Sequence, residues 1–464
     1  MTVFNLAVIG AGPGGYVAAI RASQLGAKVA LIERAEIGGV CLNSGCIPTK
    51  AMIASAHTLE AVRGAARFGI VVPDGAAFVD MGRVVARKDE IVSGLRNGIA
   101  TLLKGRGVEI VKGSASFSGP GKIVVDGDAL DAENILIATG STWIDLPGLS
   151  TDGETIVTSD EALRWKSLPK SVAIVGGGVI GCEFACMLSA MGSEVTIIEA
   201  TPSILPPVEK AVSRLLARAM KGKGIRILTG ITVKEAKAED GRALYELADG
   251  TKLDAEKMMV AVGRRPLTKE LGLETAGVAL TDRGFVKVDG HFATSATNVY
   301  AIGDVIGNPM LAHAASAEGI AAVEGIFGGE THKGNYDPSL CPSPIFTSPE
   351  IGSVGKTSEE LAAAGAEFKT GRFPYAASGK AHCDGEPDGQ AIVHADSSGR
   401  ILGVHIIGRE ATTIIAEATL AIGKGMTVRD VAKTVHSHPT LSEIFAEACE
   451  DAIGMAIHKA KSLR

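Results

Sequence analysis

The sequence predicts an α/β protein in which one βαβ unit occurs twice, followed by a C-terminal region of different texture. Three observations carry this: an internal repeat at an offset of 166 residues, a composition suited to close-packed helix and sheet layers, and a proline-marked junction near residue 340. Leu6 to Glu33 reads LAVIGAGPGGYVAAIRASQLGAKVALIE, and Val172 to Glu199 reads VAIVGGGVIGCEFACMLSAMGSEVTIIE. Gly10, Gly12, Gly15, Gly26 and Glu33 fall on Gly176, Gly178, Gly181, Gly192 and Glu199.

Each copy runs from an apolar strand through G-x-G-x-x-G into a helix, a glycine, a second strand and an acid. The first glycine makes the tight turn, the second lets backbone approach a pyrophosphate, and the third lets helix and strand pack closely. The helix N-terminus offers unpaired N–H groups to the phosphates, and the acid accepts a hydrogen bond from a ribose hydroxyl. Two such units in register imply two bound dinucleotides.

Between the copies, Val84, Ile91, Leu95, Ile99 and Leu102 are spaced for an amphipathic helix over Met81 to Lys104. Val108 to Val125 reads as short strands separated by Gly113, Gly119 and Gly121. Leu136-Ile137-Ala138-Thr139-Gly140 reads as a buried strand ending in a tight turn where backbone can reach a cofactor. Similar endings recur at Val260-Ala261-Val262-Gly263 and at Val299 to Asp304. Pro338, Pro342, Pro344 and Pro349 mark the junction, beyond which strand-like segments and a helical pattern from Thr412 to Lys424 follow.

Composition sets outer limits. At 464 residues the chain exceeds one ordinary domain, and about three or four units are expected. Apolar residues make up 46% and charged residues 21%, which excludes a disordered chain. The formal charge of −6 gives no footprint for nucleic acid, no polybasic stretch addresses a membrane surface, and no apolar run approaches a membrane span. The seven cysteines (Cys41, Cys46, Cys182, Cys186, Cys341, Cys383, Cys449) are odd in number and scattered, unlike a secreted disulfide framework. Strand-like sequence begins at Leu6, so no signal or transit peptide is expected, and Lys461 to Arg464 is not expected to act as a peroxisomal address. A cytoplasmic protein is expected, or one of an organelle matrix if the chain is a processed form.

Cys41 and Cys46 lie just downstream of the first glycine fingerprint, in Gly38-Gly-Val-Cys41-Leu-Asn-Ser-Gly-Cys46-Ile-Pro-Thr-Lys50. Residues five apart in a regular helix are separated by about 7.5 Å along the axis, beyond the roughly 7 Å limit for a disulfide. Pairing them needs a deformed turn, which Gly45 permits and which Pro48 assists by starting a regular helix just after it.

Taken in order, Gly10 to Gly15, Cys41 to Lys50, Ala138-Thr139-Gly140, Gly176 to Glu183, Gly263-Arg264-Arg265-Pro266, Gly303-Asp304 and His436 to Glu443 resemble the flavin-dependent pyridine nucleotide-disulfide oxidoreductases. The resemblance runs from about Leu6 to Glu450, and within the family it is strongest to the branch that oxidises dihydrolipoyl groups.

The resemblance implies two Rossmann-like dinucleotide-binding domains, for FAD and NAD, and a C-terminal α+β dimerisation domain. The expected boundaries are 1–145 for FAD, 146–270 for NAD, 271–340 for a central domain completing the FAD site, and 341–464 for the dimer interface. FAD falls to Gly10, Gly12, Gly15, Glu33, Lys50, Ala138, Thr139, Gly140, Asp304 and Ala312. NAD falls to Gly176, Gly178, Gly181, Glu199, Gly263 and Arg264. Glu199 suits a free 2′-hydroxyl and would repel a 2′-phosphate, and Ala200, Thr201 and Pro202 supply no cation, so NAD is expected in preference to NADP.

By the same resemblance Cys41 and Cys46 form a redox disulfide, Lys50 and Glu183 pair near the flavin ring, and His438 is the base that Glu443 orients. The base reaches the disulfide from the other subunit of a homodimer. The implied reaction is oxidation of protein-bound dihydrolipoamide with reduction of NAD. The lipoyl group arrives on a partner, either the lipoyl domain of an E2 acyltransferase or the glycine cleavage H protein. A glutathione or mercuric reductase and a non-catalytic flavoprotein scaffold are the alternatives; Glu199 and the joint retention of Cys41, Cys46, Lys50 and His438 argue against them.

Some residues carry other readings. Thr440-x-x-Glu443 ahead of Ile444 and Phe445 has the form of a helix capping box, so Glu443 is either a cap or the orienting carboxylate. His436 and His438 alternate like a metal pair but lack a third ligand, and no metal site is expected. Cys182 and Cys186, four apart on the second fingerprint helix, are expected to be inert packing thiols.

Overall fold

The computed structural model describes residues 3–73, 75–307, 309–329 and 336–460. The expectation for the tail at Lys461 to Arg464 lies outside these residues. The chain divides into two compact units: residues 1–52, 82–145 and 263–338 form the first, and residues 53–81, 146–262 and 339–464 the second.

The first unit is built on a five-stranded parallel sheet in the spatial order Glu109–Lys112, Val29–Glu33, Phe4–Ile9, Ala132–Ile137, Val299–Ala301. In chain order this is 3-2-1-4-5, so the winding direction reverses between Phe4–Ile9 and Ala132–Ile137, the switch point where open α/β sheets bind ligands. Parallel strands are buried on both faces. Leu6 and Val8 pack with Ala18, Ala22 and Ala321 on one side, while Ala7 and Ile9 pack with Phe117, Ile123 and Val286 on the other. The helices Pro13–Gln24 and Ala312–Phe327 share the first of these faces and approach closely, because a Cβ on Gly319 would stand 2.7 Å from the Gly14 carbonyl.

The second unit repeats the design. Its parallel sheet runs Arg226–Thr229, Glu194–Glu199, Ser171–Val175, Lys257–Val260, Ile156–Val157, and the antiparallel meander Val233–Glu239, Arg242–Leu247, Lys252–Ala255 covers it with Ala243, Tyr245 and Leu247. The texture change after residue 340 becomes an antiparallel sheet, Ser343–Ile345, Glu350–Gly355, Ile401–Gly408, Gln390–Ala395, Lys369–Pro374. Helices Ala411–Gly423 and Glu443–Ala452 lie on it, so close that a Cβ on Gly352 would meet the Ala411 carbonyl at 2.3 Å and one on Gly371 the Ala448 carbonyl at 2.0 Å.

The helical periodicity between the two fingerprints is realised as Met81–Gly105. Pro48 does not start a helix, since Cys46–Arg63 begins two residues before it. A proline is accepted there because first-turn N–H groups have no intrahelical partner to lose.

Candidate active site

The two fingerprints build the same cradle. Gly10 has φ +104° and a Cβ on it would lie 2.4 Å from the Ala138 carbonyl; Gly176 has φ +109° and would meet the Ala261 carbonyl at 2.3 Å. The third glycines are as tight, with Gly15 leaving 1.9 Å to the Gly10 carbonyl and Gly181 leaving 2.0 Å to the Gly176 carbonyl. The acids also act alike. Glu33 accepts the Ala11 amide at 2.8 Å and the Ala35 amide at 2.8 Å, and Glu199 accepts the Gly177 amide at 2.6 Å and the Thr201 amide at 2.7 Å. Each carboxylate thus ties its strand end to the glycine turn, a duty beyond the ribose contact that its position in sequence implies.

Ala138, Thr139 and Gly140 extend the first cradle at the end of Ala132–Ile137, where Thr139 Oγ1 donates to the Leu267 carbonyl at 2.8 Å and Gly140 takes φ +73°. Asp304 sits on the short turn Gly303–Val305 and accepts the hydroxyl of Ser141. Arg264 donates to Ser141 Oγ and to its carbonyl, both at 2.7 Å. Ser141 therefore links two residues that sequence motifs assign separately. The pairing of strand Ser141–Trp143 with Arg264–Pro266 brings it there, and no local signal in the sequence marks it. Gly263 has φ +120°, and Ala312 opens the helix Ala312–Phe327. Beneath Asp304, buried Glu318 accepts the Gly303 amide at 2.7 Å; burial raises its carboxyl above the ordinary range.

The thiols stand beside the first cradle. The Gly38 amide donates to the Ala11 carbonyl at 2.8 Å, and a Cβ on Gly39, whose φ is +58°, would stand only 2.7 Å from Gly12 Cα. Cys41 lies on the single helical turn Gly39–Asn43 and Cys46 begins the next helix. Gly45 is needed between them for space: its φ is not left-handed, yet a Cβ would sit 2.9 Å from the Val40 carbonyl and 3.3 Å from Cys41 Cα. No disulfide joins the two cysteines in this structure. The Cys41 thiol is held far above its usual range by its hydrogen bond to Cys46, then by burial, while the Lys50 charge pulls the other way. Asn43, between them, donates to the Gly39 carbonyl at 2.9 Å and accepts Arg96 Nη2 at 2.8 Å. Sequence motifs do not single out Asn43, Arg96 or the half-buried Tyr16, whose hydroxyl is pushed up by burial and by Cys41.

The remaining candidates belong to the second unit, except Lys50. Glu183 is buried on helix Val179–Met191 and accepts the Phe346 amide at 2.9 Å. His438 Nδ1 lies 2.9 Å from Glu443 Oε1, while Glu443 Oε2 accepts the Thr440 amide at 2.8 Å. Glu443 therefore contacts both the ring of His438 and the backbone ahead of the helix. Helix Glu443–Ala452 starts at Glu443 itself with Ser442 as its cap residue, so Thr440 is not the partner of a capping box. His436 points to a separate acid, Glu417, at 2.9 Å. Cys182 and Cys186 are buried, and burial pushes Cys182 well up and Cys186 to about 11.

Residues 4–319 match the pyridine nucleotide-disulphide oxidoreductases, and residues 341–449 match the dimerisation domain of the same family. The chain belongs to this family. It is 44% identical to the dihydrolipoyl dehydrogenase of Thermus scotoductus, covering 99% of both chains, and 42% identical to that of Geobacillus stearothermophilus, covering 97% of this chain and 96% of the other. Among solved structures it is similar to LpdA from Mycobacterium tuberculosis, with a TM-score of 0.90 and 26% identity over 97% of this chain and 99% of that one. The dimerisation domain supports a homodimer. Among the described residues no helix is long and apolar enough to cross a membrane.

Oxidoreductases of this family use FAD and NAD, and both cradles fit a pyrophosphate. A Cβ on Gly178 would meet nothing within 4 Å and one on Gly12 only Gly39 Cα at 4.0 Å, so each middle glycine faces open space. Both helices begin on these glycines without a side-chain cap, which leaves first-turn N–H groups for phosphate oxygens. Glu33 and Glu199 close each cradle with a carboxylate suited to ribose hydroxyls.

Proposed function

We propose that this enzyme oxidises dihydrolipoyl groups through Cys41 and Cys46, with NAD as acceptor. The observation that carries the reading is the hydrogen-bonded thiol pair on a turn packed directly against the first nucleotide cradle. Gly10, Gly12, Gly15, Glu33, Ala138, Thr139, Gly140, Asp304 and Ala312 hold FAD, with Lys50 beside its ring and Glu183 its partner. Gly176, Gly178, Gly181, Glu199, Gly263 and Arg264 hold NAD.

In this reading His438, kept in one tautomer and orientation by Glu443, takes the proton of one dihydrolipoyl thiol. The resulting thiolate attacks Cys41 of the oxidised pair, and Cys46 departs as a thiolate. The second substrate thiol then attacks the mixed disulfide and forms the lipoyl S–S bond, its proton passing to the departing Cys41 sulfur, so that the pair is left as the Cys41 thiol and the Cys46 thiolate. Two electrons and two protons have left the substrate. Bound FAD supplies the relay that carries the electron pair from the dithiol to NAD. Lys50 supplies positive charge where electron density gathers, and the base comes from the other subunit of the homodimer.

The substrate arrives on a partner, the lipoyl domain of an E2 acyltransferase or the glycine cleavage H protein, in the cytoplasm or an organelle matrix. A steady-state assay with free dihydrolipoamide tests the reading. Turnover with NAD, and little with NADP or with glutathione as the thiol, is the expected result; preference for glutathione and NADP would overturn it.

A further inference from the structure

The sequence leads one to expect no metal, yet three ligand-type side chains, none of them among the candidates above, converge in the second unit. Glu209 caps helix Lys210–Gly222, His394 lies on strand Gln390–Ala395, and His405 lies on strand Ile401–Gly408. Ile392 pairs with His405 in the antiparallel register, so His394, two residues on, shares the face of His405 as its diagonal neighbour. Each of the three offers a ligand atom within 4.8 Å of the others, and all three are buried.

The hydrogen bonds around them decide which atoms are available. His405 Nε2 lies 3.1 Å from the Lys356 carbonyl, which can only accept, so Nε2 carries the proton and Nδ1 is left with a bare lone pair. That Nδ1 is buried and has no hydrogen-bond partner among the described residues. His394 Nδ1 is held by Thr370 Oγ1 at 3.0 Å, and its Nε2 lies 3.3 Å from Glu209 Oε2. Ser358 also holds Glu209: its amide donates to Oε2 at 2.8 Å, and its hydroxyl lies 2.8 Å from Oε1 and 2.9 Å from Oε2. An imidazole whose far nitrogen is fixed by an oxygen is the arrangement that orients metal-binding histidines.

We propose that Glu209, His394 and His405 form a binding site for zinc or a similar borderline divalent cation, joining the start of helix Lys210–Gly222 to the C-terminal sheet. Two imidazoles and one carboxylate suit zinc, whereas magnesium and calcium take oxygen ligands. Tetrahedral zinc with bonds of about 2.0–2.1 Å needs ligand atoms about 3.3 Å apart. The Glu209–His394 pair already has that spacing, at 3.3 Å, and the third ligand must close in.

The test uses the flavin-loaded enzyme with Cys41 and Cys46 oxidised, so that the dithiol takes no metal. After treatment with a chelator it is dialysed against micromolar free Zn2+ and its metal content is measured, with thermal unfolding in Zn2+ and in Mg2+ alongside. One zinc per chain, a raised unfolding midpoint in Zn2+ alone, and affinity weakened at least about tenfold in His394→Gln and His405→Gln are expected. Absence of zinc from the wild-type enzyme, or equal binding in both variants, overturns the site. Should either variant fail to fold, Thr370→Val removes only the hydroxyl behind His394: weaker zinc binding there supports the site and unchanged binding overturns it.

Discussion

Glu443 serves two partners at once, with Oε1 2.9 Å from His438 Nδ1 and Oε2 accepting the Thr440 amide at 2.8 Å. The imidazole is 78% exposed while the carboxylate is 33% exposed, so the acid is the anchored member and the ring the presented one. Glu443→Gln keeps the size and removes the charge. Turnover of dihydrolipoamide should fall roughly 100-fold, with flavin content unchanged, because a base without its orienting anion loses both tautomer and placement.

The same carboxylate gives a pH signature. Burial raises its pKa, but the Thr440 amide and then His438 outweigh burial, and the net shift is downward. A carboxyl lowered in the folded state contributes stability that is complete above its unfolded pKa of about 4.3 and is lost as the pH falls through the lowered folded value. Denaturant midpoints of wild type and Glu443→Gln should therefore differ more at pH 7 than at pH 3. A gap that stays constant across that range would contradict the assignment.

Two glycines of the second cradle should fail in different ways. Gly181→Ala drives a Cβ to 2.0 Å from the Gly176 carbonyl and should cost about 1–3 kcal/mol of stability, read as a lower thermal midpoint. Gly178→Ala meets no protein atom within 4 Å. It should melt like wild type but raise the KM for NAD at least about tenfold, the loss of close contact between backbone and pyrophosphate.

Ser141 stands between Asp304 and Arg264. Ser141→Ala leaves both without that contact, at a cost of about 1–3 kcal/mol, equivalent to about 5- to 150-fold weaker FAD retention. Reconstitution of the apoprotein with FAD measures it. Retention equal to wild type would show that Ser141 does not place Asp304 for the flavin.

Cys41→Ser should abolish dihydrolipoamide turnover and leave the flavin bound, since the cradle is made by backbone and by Glu33. Equal turnover in this variant would sink the thiol mechanism.

The repeat of glycines and acids was legible because backbone geometry dictates them: only glycine fits 1.9–2.4 Å from a carbonyl at Gly10, Gly15, Gly176 and Gly181, so the chemistry leaves its mark within some thirty residues of chain. The closeness of Cys41 and Cys46 is likewise local, since Gly45 leaves room for the turn between them. Other features depend on strands that meet only after folding. Ser141 reaches Asp304 because Ser141–Trp143 pairs with Arg264–Pro266, and Glu443 divides its oxygens in a way that spacing alone leaves undecided. The Glu209–His394–His405 cluster gathers side chains as far apart in sequence as positions 209 and 405. Local sequence determined where backbone must turn and what it can cradle; long-range pairing, which carries no short-range pattern, decided which polar side chains share a buried space.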